Sequence, residues 1–441
     1  MKSMKIKLFL ISVGLGLQSL VAQEVLSPDQ AVSLALEHNY GIKIANNTVE
    51  VAKNNTSILN SGYLPTVTGN AGASINKQNS EGQLANGETR VANGAETRNY
   101  NASINLNYTL FDGLGREYNY KQLKETQQLT ELQARETIEN TVLQLFTVYY
   151  SVAELNENTQ AILQTLEISK ERLVRAQYQF DYGQDTKLGV LNAEVDVNND
   201  SINLMNSKQQ LQNFKRDLNL VLGNSLTDDF NVDTTIDFNE LIDKATLFDR
   251  AKQYNASLMQ INKNIEINSL IVKLEKSAYL PIIGLTGSYG WNETSNNSPL
   301  AFALQNTSTG VSGGVSLTWN LFDGGTTITR VKNAKLNLET QNIQKEEYLV
   351  TLERDFNNAW DDYQNKLNIF KLQEANIKTS QNNFDRTEEK FKLGQLNSIE
   401  FRQAQINLLN AELTRNQAKY AAKIAELELL KISGEILNIS F

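Results

Sequence analysis

The chain contains one structural unit twice, and this duplication constrains its fold more than any other feature. Three motifs recur in the same order: Tyr-Leu-Pro at 63–65 and 279–281, Leu-Phe-Asp-Gly at 110–113 and 321–324, and Phe-x-x-Gly-Gln at 180–184 and 391–395. The first motif repeats with an offset of 216 residues, and the other two repeat with an offset of 211. We therefore expect each element of the first unit to have a counterpart in the second.

Each unit predicts a helix, two strands, a very long helix, a tight turn and a returning helix. After a signal peptide at 1–22, the first unit covers 23–226 and the second covers 227–441. The predicted strands are 64–76, 100–111, 281–292 and 311–322, and the predicted later helices are 116–181, 185–222, 326–392 and 396–433. Only four prolines occur in the chain, which permits such long helices because interior proline breaks a helix.

Three of the predicted strands alternate between apolar and polar residues, and the alternation is weaker in the Gly-rich strand 64–76. One face carries the apolar set Ile104, Leu106, Tyr108, Val315, Leu317 and Trp319. The other face carries the polar, uncharged set Asn101, Ser103, Asn105, Asn107, Ser316, Thr318 and Asn320. An alternating run of about 11 residues has the length of a tilted strand that crosses a bilayer. The pattern predicts that the apolar set faces lipid and the polar set a water-filled lumen, with long polar loops at 77–99 and 292–310.

Four strands per chain are too few to close a barrel. In hydrocarbon every unpaired strand edge leaves N–H and C=O groups without partners, at a cost of several kcal/mol each. Two copies would give eight strands and a filled interior, and three copies would give twelve strands with room for a channel. Strand geometry alone permits either assembly.

The helices predict a coiled-coil layer of great length. A heptad stripe that includes Leu352, Phe356, Tyr363, Phe384 and Phe391 predicts knobs-into-holes packing. A helix over 116–181 spans roughly 100 Å at 1.5 Å per residue. No helix of about 35 residues covers that length, so the returning helix and the helix before the strands are expected to stack end to end beside it.

The composition excludes several classes of function. The net charge of −9 does not suit a nucleic-acid binder, and the absence of cysteine excludes a lipidated N-terminus and thiolate metal sites. A single histidine weighs against acid–base catalysis, so we expect no enzyme activity and no cofactor. Glu194, Asp196 and Asp200 fit a solvated helix face better than a metal site.

The repeated motifs, in this order and behind a signal peptide, resemble the TolC-like outer-membrane efflux proteins. The residues that carry the resemblance are Ala31, Leu34 to Leu36, Asn39, Leu64-Pro65, the two Phe-Asp-Gly motifs and the two Phe-x-x-Gly motifs. The resemblance implies an α+β membrane protein: a homotrimer with a twelve-stranded β-barrel, four strands per chain, continuous with a periplasmic α-helical coiled-coil barrel. It also implies an outer-membrane location in a Gram-negative-type cell, contact with outer-membrane lipid, and two protein partners, a periplasmic adaptor and an inner-membrane pump.

The resemblance also assigns residues at the two helix–turn–helix tips. The adaptor would dock at Phe180, Gly183, Gln184, Phe391, Gly394 and Gln395. An entrance ring would contain Glu400 and Gln403, with Asn192 from the first unit. The family commonly has tyrosine where this chain has Phe180 and Phe391, so the usual hydroxyl is missing from the gate. Asp385, Arg386 and Lys390 are the nearby candidates for closing it.

The sequence therefore predicts a passive export duct for small molecules or polypeptides in a tripartite efflux or type I secretion system. The alternative is a secreted coiled-coil scaffold or adhesin whose strands form a small soluble sheet. Extraction behaviour separates the two, because a membrane barrel requires detergent. The sequence does not indicate the exported substrate or the class of pump.

Overall fold

A computed structural model describes residues 25–223, 230–238 and 243–438, so the predicted signal peptide lies outside the described residues. The helices are α1 (Pro28–His38), α2 (Tyr40–Asn55), α3 (Gly115–Asp181), α4 (Lys187–Leu222), α5 (Lys244–Tyr254), α6 (Ala256–Ser277), α7 (Thr326–Lys392) and α8 (Ser398–Ile432). The strands are β1 (Val25–Leu26), β2 (Thr66–Gln83), β3 (Thr89–Asp112), β4 (Asn231–Val232), β5 (Ile282–Asn296) and β6 (Gln305–Thr318). The order of two helices, two strands and two helices occurs in both halves.

The helices form one layer that is four columns wide. The order across the layer is α4 with α2, then α3, then α8 with α6, then α7. The α3 helix has 67 residues and so measures about 100 Å. No helix within 25–223, 230–238 or 243–438 is long and apolar enough to cross a membrane.

Two asparagines join the shorter helices end to end. Asn39 caps α2 with its side-chain oxygen, and its Nδ2 donates to Val221 O at the end of α4 over 2.7 Å. Asn255 caps α6 in the same way and donates to Ile432 O at the end of α8 over 3.0 Å. Each asparagine thus satisfies a carbonyl that the end of a helix would otherwise leave unpaired. The α4–α2 and α8–α6 columns result from these contacts.

The sheet is antiparallel and has the order β2-β3-β5-β6. The pair Thr66 and Asn107 joins β2 to β3, and the pair Ile282 and Thr318 joins β5 to β6. The offsets of 216 and 211 convert the first pair into the second, so the two hairpins have equivalent registers. Strands β2 and β6 are the two edges of the sheet.

Two predicted features, one of the helices and one of the loops, are wrong. The single helix expected before each strand pair is broken, at Asn39 and at Asn255, because the asparagine side chain caps a new helix. The 77–99 region is mostly strand, since β2 and β3 pair as far as Gln83 and Thr89. An exposed two-stranded ribbon needs no apolar face to pair its backbone, which is why hydropathy did not reveal it.

The ends of the membrane strands also differ from the prediction. Strand β6 ends at Thr318, so Trp319 and Asn320 lie beyond it. Trp319 Nε1 instead donates to Tyr279 O over 3.1 Å. In β3 the register shifts between Thr109 and Phe111, so the alternation is interrupted there. Such a bulge bends the strand where the sheet meets the helices.

Candidate channel wall and tunnel entrance

The strand register brings the predicted polar set onto one face of the sheet. Asn101 pairs with Asn292, Asn105 pairs with Ser288, and Ser288 pairs with Ser312. Directly paired residues in a sheet share a face, so asparagine, serine, threonine and glycine cover this face without a charge at its centre. Ser288 and Ser312 hydrogen-bond across it at 2.7 Å. Asn320, which lies past the end of β6, lines a pocket of about 470 Å³ at the junction of sheet and helices.

The opposite face carries the predicted apolar set. Ile104 pairs with Tyr289 and Tyr289 pairs with Val311, while Tyr108 pairs with Leu285 and Leu285 with Val315. In one copy of the chain, Ile104 is 58% exposed and Val315 is 69% exposed. A continuous exposed apolar face backed by a polar one is typical of a sheet that separates lipid from water, whereas a soluble sheet buries its apolar face in a core.

The two edge columns of the helical layer also expose apolar side chains. On α4 and α2 these are Leu188, Leu191, Val195, Ile202, Met205, Tyr40, Ile44 and Val51. On α7 they include Leu336, Ile343 and Val350, which are spaced by seven residues. Heptad spacing places these side chains along one stripe of the helix. The layer and the sheet are thus both open at the same two sides of the chain.

The glycines of both tips end their helices as the sequence predicts. Gly183 and Gly394 have φ values of 71° and 73°. The N–H of Gln184 donates to Gln179 O over 2.7 Å, and the N–H of Gln395 donates to Lys390 O over 2.9 Å. These bonds, with those from the glycine N–H groups, form Schellman caps. Gln184 and Gln395 therefore act in the caps through their backbone.

The two tip phenylalanines have different surroundings. Phe180 is 37% exposed, whereas Phe391 is 8% exposed and stacks on Phe401 with ring centroids 4.6 Å apart. The guanidinium carbon of Arg175 lies over the Phe391 ring, 4.8 Å from the ring centroid. Phe391 is therefore a packing residue of the second tip, and its predicted part in adaptor docking stays a prediction. The identical motifs did not distinguish the two positions.

Glu400 has a local structural role in addition to its predicted place in an entrance ring. Its carboxylate accepts from the N–H of Asn397 over 3.3 Å, and Asn397 Oδ1 accepts from the N–H of Glu400 over 2.9 Å. This pair is a capping box that begins α8. Gln403 is exposed and donates to Asn407 over 2.9 Å. Asn192 lines a groove of about 450 Å³ between the beginnings of α4 and α8.

A buried charge cluster, absent from the predicted sites, joins two helical hairpins near their tips, α3 with α4 and α7 with α8. Its members are Ser169 and Arg172 on α3, Asp196 and Asp200 on α4, and Arg402 and Gln405 on α8. Arg172 pairs with Asp196, and Arg402 pairs with Asp200 over 2.7 Å. Burial lowers the pKa of the Arg172 guanidinium, and its bond to Asp196 opposes that shift.

The cluster corrects the prediction that Asp196 and Asp200 belong to a solvated helix face. Asp200 is 2% exposed and accepts a hydrogen bond from Ser169 over 2.6 Å. Its partners come from helices far apart in sequence, so the spacing of residues along α4 did not predict the burial of Asp200.

The candidate gate residues Asp385, Arg386 and Lys390 are all exposed on α7. The described residues contain no group of three or more His, Cys, Asp or Glu suited to hold a metal ion.

A two-faced open sheet that continues into a layer of long helices defines a subunit of an outer-membrane channel. The chain belongs to the family described as Outer membrane efflux protein, whose profile matches residues 31–224 and 247–435. Members of this family are efflux channels and not enzymes. They lie in the outer membrane with a helical part in the periplasm, and this chain has the same location. The match does not favour the secreted scaffold.

Individual relatives agree with this assignment. The chain is 22% identical over 407 residues to the outer membrane efflux protein BepC of Brucella suis, covering 92% of this chain and 85% of the relative. Its fold is similar to the CmeC outer membrane channel of Campylobacter jejuni, with a TM-score of 0.76, 19% identity and coverage of 93% and 86%. It is also similar to the open-state MtrE outer membrane channel of Neisseria gonorrhoeae, with a TM-score of 0.72, 15% identity and coverage of 93% and 89%.

Proposed function

We propose that three copies of the chain form a passive channel-tunnel in the outer membrane. Each copy contributes four strands to a twelve-stranded barrel and four helical columns to a periplasmic tube. The observation that carries the proposal is the sheet itself, which has two unpaired edges, one apolar face and one polar face. Membrane hydrocarbon does not tolerate open edges, so the sheet requires further copies to close it. The twelve strands leave a lumen that eight would not.

The channel exports small molecules or polypeptides as the outer part of a tripartite efflux or type I secretion system. The lumen-facing set is Asn101, Ser103, Asn105, Asn107, Ser316 and Thr318, with Asn320 at the lower rim. The lipid-facing set is Ile104, Leu106, Tyr108, Val315 and Leu317, with Trp319 at the interface. The uncharged polar lining supports passage of varied cargo, since it offers no specific charge to recognise.

A periplasmic adaptor binds the tips, and an inner-membrane pump supplies the energy. The docking surface consists of Phe180, Gly183, Gln184, Gly394 and Gln395, together with the packed Phe391. The exposure of Phe180 and the position of both Schellman caps at the end of the tube support it. The ring of Glu400, Gln403 and Asn192 lines the entrance. The buried charge cluster holds the two hairpins of each copy together beside it.

Light scattering and planar-bilayer recording together test the channel. Detergent-solubilised protein is expected to have three times the monomer mass and to conduct steadily without an energy source. A monodisperse monomer in buffer without detergent would contradict the proposal and would favour a soluble scaffold.

A further inference from the structure

The junction between the sheet and the helices contains a pocket on the polar face of the sheet. This pocket of about 470 Å³ is lined by Ile282 at the start of β5, Thr318 at the end of β6 and Asp112 at the end of β3. Ile282 pairs with both Thr318 and Asp112. Strands β5 and β6 pair without a register shift, so Ile282 lies on the same face as Asn292, ten residues further along β5. The pocket therefore opens towards the lumen of the proposed channel.

The pocket combines an apolar wall with one ion pair. Leu274 on α6, Leu280 shortly after it and Ile282 supply the apolar wall. Asp112 and Arg116 supply the charges, and their side chains are 20% and 18% exposed. The polar face of the barrel above has no charge at its centre, so this pair is a distinct chemical feature of the lumen wall. An apolar lining with a few fixed polar groups is typical of a binding site for a small molecule.

The guanidinium of Arg116 is held in place on several sides. Its Nε donates to Asp112 Oδ2 over 3.1 Å, and its Nη1 donates to Gly62 O over 3.3 Å. The guanidinium carbon also lies 5.3 Å from the centroid of the Tyr63 ring. No hydrogen bond among the described residues uses Nη2, so its two N–H groups can donate to a ligand. A group that is fixed in advance lowers the entropic cost of binding.

The second half of the chain shows that the helix cap does not need this arginine. Asp112 accepts from the N–H of Arg116 over 2.9 Å at the start of α3. The offset of 211 converts these residues into Asp323 and Thr327 at the start of α7. There the N–H and the hydroxyl of Thr327 donate to Asp323 Oδ2 over 2.8 Å and 2.5 Å. The same cap thus forms without a cation, and the charge of Arg116 is an additional feature of the first junction.

We propose that this junction pocket binds a small amphiphile that carries a carboxylate. Arg116 Nη2 donates charge-assisted hydrogen bonds to the carboxylate, and the leucine and isoleucine wall covers the apolar part of the ligand. The inference rests on the proposed channel, because the pocket opens into its lumen. Each copy contributes one pocket, so amphiphilic acids that pass through the channel bind transiently where the barrel joins the helical tube.

Calorimetry of the full chain in detergent tests the binding with 2-naphthoate as the probe. We expect saturable binding with one site per chain. The uncharged 2-naphthamide has the same rings and should bind at least about tenfold more weakly, because it lacks the charge that Arg116 recognises. Arg116→Gln should weaken naphthoate binding by a similar factor. The matched control is Lys124→Gln, an exposed cation two turns further along α3 that should bind like the unaltered chain.

A second variant tests the pocket without removing the arginine. Asn119 lines the pocket one turn after Arg116. Asn119→Trp fills the pocket and should abolish naphthoate binding while Arg116 and its partners remain. Arg116→Lys keeps a charge and should retain part of the binding. Circular dichroism and light scattering verify that each variant folds and assembles, and Asn119→Trp decides the question if Arg116→Gln does not fold.

Planar-bilayer recording shows whether the pocket lies in the conducting path. Naphthoate should cause transient blocks of the current through the unaltered channel and few blocks in Asn119→Trp. Binding by calorimetry without blocks would overturn the luminal position of the site.

The outcomes separate this inference from the proposed function. A conducting channel that binds no naphthoate, or binds it equally well in Arg116→Gln and Asn119→Trp, would overturn the site and leave the channel intact. Absence of any conductance would overturn the channel, and calorimetry would still decide whether the pocket binds.

Discussion

Arg402 on α8 donates to both carboxylate oxygens of Asp200 on α4, over 2.8 Å and 2.7 Å. This bidentate, charge-assisted pair joins residues 202 positions apart and links the helical hairpins α3–α4 and α7–α8 of one copy. Ser169 on α3 lies between them and bonds to both. The three helices are therefore fixed to one another just above the proposed entrance.

Removing one member of this pair is expected to destabilise the protein strongly. Asp200→Ala removes the bidentate partner of the partly buried Arg402 guanidinium, which keeps only its 3.7 Å carboxylate contact with Asp196, at a cost of about 3 kcal/mol in the free energy of unfolding. Glu194→Ala, an exposed acid on the same helix, is the matched control and should change stability little. Chemical denaturation of both variants measures the difference. Equal stability of the two would show that the cluster does not hold the hairpins.

The charge of Glu400 can be tested separately from its capping role. Glu400→Gln removes the charge, and glutamine can still accept the capping bond from Asn397. Because a ring of carboxylates attracts cations, the variant should shift the reversal potential of the channel towards lower cation selectivity. Gln403→Glu is the reciprocal variant and should shift it the opposite way. Unchanged reversal potentials in both would remove these residues from the entrance ring.

Neighbouring positions on β3 distinguish the two faces of the sheet. Leu106→Lys places a charge in lipid and should reduce the stability of the inserted protein by about 2–4 kcal/mol near the middle of the bilayer. Asn105→Lys places the same charge in the lumen and should assemble normally. Folding into vesicles under a urea gradient measures both. Similar behaviour of the two variants would contradict the assignment of the faces.

Two glycines at opposite ends of the second hairpin should respond differently to alanine. Gly394 has a φ of 73° with nothing within 4 Å of an added Cβ, so Gly394→Ala should cost only the conformational strain, about 1–2 kcal/mol. A Cβ on Gly434 would lie 2.4 Å from Tyr254 O, so Gly434→Ala should cost more. Thermal unfolding ranks the two variants. The reverse order would mean that the α8–α6 junction adapts easily.

Local signals made the long helices predictable. The sequence predicts a helix over 326–392, and α7 covers Thr326–Lys392. Gly325 and Gly394 mark its two ends, and no proline interrupts it. The strand faces were likewise predictable because alternation depends only on neighbouring residues. The helix ends at Asn39 and Asn255 could not be predicted in this way. Each asparagine also donates to a carbonyl at the end of another helix, α4 or α8, and that contact is not visible in the local sequence.

Long-range contacts account for what the sequence did not reveal at the site. Arg172, Asp200 and Arg402 each look like ordinary polar positions of a coiled coil. Only the packing of three helices brings them together, with Arg172 and Asp200 buried. The same holds for Phe391, whose motif is identical to that of Phe180. Phe401 covers Phe391, whereas the counterpart of Phe401 in the first half is the smaller Val190.

The open edges of β2 and β6 also bear on how such a protein reaches its membrane. A single copy would have to carry two rows of unsatisfied backbone groups into hydrocarbon, whereas a closed ring carries none. Under the proposed assembly, insertion becomes a collective event whose rate rises steeply with the concentration of unassembled copies. Dilution should therefore delay the appearance of folded channel far more than it delays folding of the helices.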